Sequence, residues 1–161
     1  MSGCAFVFGD NVDTDVLAPG AYMKGGIDEI ARHCLGALDP TFAASVAPGD
    51  FVIGGRNFGM GSSREQAAQA LKHLGVAAVI ATSFAGIFYR NALNLGLPAL
   101  VCAAARKIRA GDRLEVDAAA GTIRNATSGE TLACQALPPH LMTLVAAGGL
   151  VPYLERKFKR A

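Results

Sequence analysis

Apolar runs and helical periodicities alternate along the first hundred residues. The run "AFVF" at 5–8 ends in Gly-Asp-Asn, the pattern of a buried strand followed by a turn. An irregular stretch rich in Asp, Pro and Gly follows, "DNVDTDVLAPGAYMKGG". Residues 27–38 place Ile27, Ile30, Ala31, Cys34 and Leu38 on one face and predict a helix. Pro48-Gly49-Asp50 makes a turn into a second buried strand, "FVIGG". Residues 63–74 carry Ala67, Ala70, Leu71 and Leu74 at helical spacing, with Gln66, Gln69, Lys72 and His73 opposite. Gly75 stands where a left-handed helix terminator is wanted. "VAAVIAT" lacks polar alternation, so it is a strand buried on both faces. Residues 84–95 form another helix closed by Gly96, and "PALVCA" is a further buried strand.

This order implies parallel strands joined by right-handed helical crossovers. The pattern then changes. From Asp112 to Pro138 apolar and polar residues alternate across turn signals at Ala120-Gly121 and Ser128-Gly129, which predicts antiparallel strands with one wet face. A last helical segment starts at Pro138-Pro139 and is interrupted by Gly148-Gly149. The expected fold class is α/β, a parallel α/β half with an antiparallel hairpin module, in a single domain over residues 1–161.

Composition agrees with a compact core: 52% of residues are apolar and 17% charged. A net charge of +2 is too small to make nucleic acid the main partner. The basic cluster "ERKFKR" near the C-terminus reads as a solvated helix end favoured by the negative pole of the dipole, rather than an RNA- or membrane-binding tail. Cys4, Cys34, Cys102 and Cys134 lie far apart in apolar contexts, without the spacing of a metal or redox motif. Buried free thiols are expected. The N-terminus lacks a basic leader and no segment has the length of a membrane span, so a cytoplasmic protein is expected.

Candidate chemistry concentrates in "GMGSSREQ" at 59–66. Ser62 and Glu65 have the spacing of a capping box, which accounts for those two residues. It leaves Gly59, Gly61, Ser63 and Arg64 unexplained. Glycines beside exposed helix amides make an anion site, and Arg64 adds a carboxylate or phosphate clamp. Two nucleotide loops are excluded. A P-loop needs Lys before the Ser that follows its last Gly, and the dinucleotide fingerprint needs Gly where Arg64 stands.

"DNVDTD" presents Asp10, Asp13 and Asp15 in alternation but lacks the glycine and distal glutamate of a calcium loop. By itself it reads as turn and capping chemistry. His33, His73 and His140 are scattered and form no ligand pair. Arg90, Asn91 and Asn94 share a helix and read either as supports for a site or as solvated positions.

Three stretches, "GDNVDTDVLAP", "GDFVIGGRNFGMGSSREQAAQALKHLGVAAVIATSF" and "IFYRNALNLGLP", run in order across residues 9–98. They resemble the 3-isopropylmalate dehydratase small-subunit family, in its short form, the swivelling domain of the aconitase superfamily. The resemblance implies a layered β/β/α aconitase-type swivelling domain. It implies a subunit of a hydro-lyase that interconverts 2- and 3-isopropylmalate in leucine biosynthesis, active only with a large subunit carrying a 4Fe–4S cluster. By position, Ser62 is the implied catalytic base and Asp15 supports it. The resemblance likewise implies that Ser63 and Arg64 bind a carboxylate of a hydroxy-dicarboxylate substrate. No cofactor or metal is implied on this chain, and neither nucleic acid nor membrane is an implied partner.

The chain departs from the family at three places: Met60 replaces a usual cysteine, Gln66 a histidine found in many members, and Gly86 a usual arginine. The loop "YMKGG" at 22–26 occupies the position that meets the variable substrate group. Lys24 there fits an extra carboxylate, as in homoaconitase-type enzymes, so an alternative is the same chemistry on another di- or triacid. A second alternative is a non-catalytic anion-binding module.

Overall fold

The computed structural model describes residues 1–159. Arg160, the last cation of the basic cluster, lies outside them. Strands β1 (Ser2–Val7), β2 (Phe51–Gly54), β3 (Ala78–Ala81) and β4 (Ala99–Val101) pair in parallel. Strands β5 (Arg113–Asp117), β6 (Thr122–Asn125) and β7 (Thr131–Ala133) extend the other side of β1 in antiparallel fashion. The sheet order is β4-β3-β2-β1-β5-β6-β7. The helices are α1 (Thr14–Leu17), α2 (Gly26–Arg32), α3 (Phe42–Ser45), α4 (Glu65–His73), α5 (Gly86–Asn94), α6 (Pro139–Ala147) and α7 (Leu150–Lys159).

The parallel strands step in one direction through the sheet, so right-handed crossovers bring their helices to one face. There Val52, Val79 and Ala81 pack with Ile30, Ala67, Leu71 and Phe88. The alternate side chains of the same strands, Phe51, Ile53, Ala78 and Ile80, pack with Leu114, Val116, Ile123 and Leu132 of the antiparallel half. The sheet therefore curls over itself. Its two edges meet where the Gln135 N–H donates to the Val101 carbonyl at 2.8 Å and the Cys102 thiol reaches the Ala133 carbonyl at 3.4 Å. Strands β2 and β3 are buried at every position, while β5, β6 and β7 alternate buried with exposed. Both patterns follow the hydropathy of the chain.

The helix expected over 27–38 is shorter. It ends at Arg32 because the Leu35 N–H donates to the Val16 carbonyl of α1 at 2.9 Å, with Leu35 in the left-handed region at φ 58°. Leu35 is thereby fully buried, and Leu38, placed on the core face by the periodicity, is 54% exposed. A tertiary hydrogen bond and burial of Leu35 outweigh helix continuation.

Candidate active site

Three loops leave the C-terminal ends of β1, β2 and β3 and interlock, at the edge where open α/β sheets bind ligands. The Asn11 N–H donates to Arg56 O at 2.8 Å, the Gly59 N–H to Val12 O at 2.7 Å, and the Thr14 N–H to Met60 O at 2.8 Å. On the other side the Phe58 N–H donates to Ser83 O at 3.0 Å and the Ala85 N–H to Phe58 O at 2.9 Å. The "GMGSSREQ" loop is thus held by backbone bonds on both flanks.

The two glycines serve this packing. Gly59 has φ 83°, and a Cβ there would stand 2.2 Å from the Phe88 ring. Gly61 has φ 106°, and its Cβ would come within 2.9 Å of the Asp13 carboxylate and 3.0 Å of Thr14 Oγ1. Their smallness admits neighbouring protein atoms, which corrects the expectation that it makes room for a ligand. The capping box is also absent. Helix α4 starts at Glu65, its N-cap is Arg64, and Ser62 makes no cap bond. The reason is Arg64 itself, whose backbone is extended at ψ 109° while its guanidinium is bonded to α1 and the residue after it.

Arg64 Nη1 donates to Asp15 Oδ1 at 2.5 Å and to the Ala18 carbonyl at 2.9 Å. The same Asp15 oxygen accepts the Gly20 N–H at 3.1 Å. The Arg64 hydrogen bond, then the Gly20 amide, holds the Asp15 carboxyl below the usual carboxylate range. Among the described residues these bonds use only Nη1, which leaves the other guanidinium nitrogens for an incoming carboxylate. Ser62 and Ser63 are exposed beside this pair. Ser62 Oγ lies 3.4 Å from Thr14 Oγ1.

Asp15, Ser62, Ser63 and Arg64 are therefore brought to one place. Lys24 is apart from them, exposed on a 3-10 turn at Gly20–Gly25, and joins no ion pair among the described residues. That turn is tied to the site by the Asp15–Gly20 bond at one end, and Tyr22 stacks on His33 at 3.6 Å. The remaining aspartates are structural. Asp13 caps α1 by accepting the Asp15 N–H at 2.7 Å, and Asp10 accepts the Arg56 N–H and Arg106 Nη2, each at 2.7 Å. Turn and capping chemistry fits those two; Asp15 differs from them in that its carboxylate accepts from Arg64 and the Gly20 N–H. His73 pairs with Asp28 at 2.7 Å, and Arg90 and Asn94 are exposed on α5. Gly86 opens α5 with open space where a side chain would project.

Thr14 is the residue that the sequence reading missed. It is 2% exposed, yet in the sequence it is one polar residue among several in a turn-like stretch. No local signal separates a buried hydroxyl from a solvated one there.

The four cysteines are free, with Cys34 and Cys102 buried. Burial pushes the Cys34, Cys102 and Cys134 thiols upward, Cys134 to about 11, and such thiols are unreactive. Among the described residues no three His, Cys, Asp or Glu side chains gather into a group able to hold a metal ion. Among them, too, no helix is long and apolar enough to cross a membrane.

A curled mixed sheet that presents a Ser-Ser-Arg loop at the ends of its parallel strands defines an aconitase-type swivelling domain, and the aconitase C-terminal domain family matches residues 44–105. The small subunit of 3-isopropylmalate dehydratase from Moorella thermoacetica is 49% identical over 99% of this chain and 97% of its own length. The methanogen homoaconitase small subunit of Methanothermobacter thermautotrophicus is 47% identical over 94% of this chain and 88% of its own. The crystal structure of 3-isopropylmalate dehydratase (leuD) from Methanocaldococcus jannaschii superposes with a TM-score of 0.91 at 43% identity, covering 97% of this chain and 93% of that one. The chain belongs to the 3-isopropylmalate dehydratase small-subunit family, whose members are subunits of hydro-lyases and work with a large subunit.

Proposed function

We propose that this chain supplies the base and the carboxylate clamp of a hydro-lyase that interconverts 2- and 3-isopropylmalate by dehydration and rehydration, in leucine biosynthesis. The observation that carries the reading is an exposed serine, Ser62, next to an arginine whose position is set by a buttressing carboxylate, Asp15. Arg64, with Ser63, holds a substrate carboxylate. Ser62 Oγ, as alkoxide, takes the proton from the carbon bearing that carboxylate. The electron pair of the broken C–H bond becomes the double bond as hydroxide leaves the neighbouring carbon, and rehydration in the opposite sense gives the isomer.

A serine hydroxyl in water is too weak an acid for this role. The Arg64 cation and removal of water by a docked large subunit favour its ionised form. The open position of Ser62 on this chain fits a site completed by another surface. The 4Fe–4S cluster is assigned to that large subunit, since the described residues gather no ligand set for it. When bound there, it supplies a Lewis acid for the substrate hydroxyl.

Lys24 favours a second reading. Its exposed ammonium on the turn next to Asp15 fits an extra substrate carboxylate, and one 47% identical relative is named a homoaconitase small subunit. A non-catalytic anion-binding module does not fit membership of a family of hydro-lyase subunits.

Co-expression with the large subunit and anaerobic reconstitution with iron and sulfide test the reading. The pair turns over isopropylmalate and the small subunit alone does not. Ser62→Ala lowers kcat by about a hundredfold or more. It removes no helix cap, so any loss of thermal stability is confined to the Thr14 contact and does not account for the fall in kcat. A Ser62→Ala complex with near-normal kcat would remove Ser62 from the chemistry.

A further inference from the structure

The geometry points to Thr14 as a positioning residue for the reaction, a fixed donor that orients Ser62 Oγ and favours its ionised form. This rests on the reading of Ser62 as the base. Thr14 is 2% exposed, and Ser62 Oγ, at 3.4 Å, is the one partner its hydroxyl has among the described residues.

Burial decides the direction of this contact. A buried hydroxyl proton without an acceptor costs the full desolvation of a polar group. Ser62 is exposed and can give its own proton to water, to substrate or to a passing base. The lower-energy arrangement has Thr14 donating and Ser62 accepting, with the Ser62 proton aimed outward. A donor that points at an oxygen before it becomes an anion stabilises the anion more than the neutral alcohol. At 3.4 Å the contact is longer than a made O–H···O bond, and it shortens as charge builds on Ser62.

Thr14 is well placed to hold this aim. Its N–H is bonded to Met60 O at 2.8 Å, so it is tied to the loop that carries Ser62. Gly61 has no side chain to separate the two, and a Cβ there would come within 3.0 Å of Thr14 Oγ1. The charged groups around Ser62 are Asp13 against Gly61, the Asp15–Arg64 pair, and exposed Glu65 at the start of α4. Asp15 offsets part of the Arg64 charge and Asp13 opposes an anion, so a neutral donor on the buried side adds to what Arg64 supplies.

The test uses the reconstituted complex of both subunits with Thr14→Val, Thr14→Ser and Ser62→Ala. Thr14→Val is expected to lower kcat by about tenfold to a hundredfold with KM changed less than about twofold. It also moves the acidic limb of the kcat–pH profile to higher pH, and Thr14→Ser restores most of both. Thr14→Ala removes the hydroxyl without a new methyl and reads the same split if the valine variant folds poorly. Unchanged kcat and pH profile in the hydroxyl-free variants overturn the assignment, as does a serine variant as impaired as the valine one. If Ser62→Ala is inactive while Thr14→Val is normal, only the Thr14 assignment fails. If Ser62→Ala is active, the base reading fails and this inference with it.

Discussion

The two halves of the sheet are built on opposite rules. In the parallel half, β2 and β3 are buried on both faces, by α2, α4 and α5 on one side and by the curled antiparallel strands on the other. In the antiparallel half, β5–β7 bury one face and leave the other in water. A strand covered on both faces can offer polar groups only at its ends, and the candidate site lies at the C-terminal ends of β1, β2 and β3. The antiparallel half has a wet face along its length but none of the site residues. Its contribution is a lid over the core beneath the site.

The largest effect that tests this contrast is on stability. Phe51→Ala empties a fully buried position of β2 and is expected to cost about 3–5 kcal/mol by urea unfolding. Leu132→Ala on β7, 6% exposed near the sheet edge, is expected near the lower limit of about 2 kcal/mol for such changes. Equal costs would mean that the two halves are equally central to the core.

Gly59→Ala acts at the join between core and site. A positive φ and the Phe88 ring both oppose its Cβ, for an expected loss of about 1–3 kcal/mol or more with a fall in kcat of the complex. A variant stable and active as the parent would show that the loop tolerates displacement.

Asn125→Ala is the matching change in the antiparallel half. Asn125 is buried; its Nδ2 donates to Asp112 Oδ2 at 2.8 Å, and its Oδ1 accepts the Thr127 and Ser128 N–H groups at 3.1 Å. Its loss should cost about 1–3 kcal/mol in stability while kcat of the folded complex stays unchanged. Lowered kcat at full folding would link this half to catalysis.

The smallest effect is in acid. Asp15 is held below the usual carboxylate range by Arg64 and then Gly20, and Asp112 by the Arg109 amide and then Asn125. A carboxyl depressed on folding stabilises the fold above its unfolded value, about 3.9 for Asp, and that contribution is lost as pH falls through the folded value. Urea midpoints should therefore hold steady near neutrality and fall below about pH 4. Asp112→Asn should flatten that fall more than Asp15→Asn does, because Asp15 is 65% exposed. The reverse order would put the acid-sensitive anchor at the site rather than in the antiparallel half.

Much of the fold was legible because the two halves have different hydropathy. Continuous apolar runs marked β2, β3 and β4, and alternation marked β5–β7 with their turns at Gly121 and Gly129. The site was legible in part. Arg64, Ser62 and Asp15 stood out by residue type and by resemblance, and the structure brings them together. The capping box was misread because Ser62 and Glu65 have the right spacing whether or not Arg64 adopts helical geometry. Arg64 does not, because Asp15 and the Ala18 carbonyl, 49 and 46 residues earlier, bond its guanidinium.

The sequence by itself determined the order and type of most elements, since local burial and turn propensity act over a few residues at a time. Only the tertiary structure decided that the sheet's edges meet at Val101 and Gln135, and that Leu35 is buried while Leu38 is exposed. It also decided that Gly59 and Gly61 yield to Phe88, Asp13 and Thr14, and that the Thr14 hydroxyl is buried against Ser62. Each of these depends on groups far apart in the chain. Packing excludes water and leaves a polar group only the partners that the fold brings to it, a choice no local pattern of residues contains.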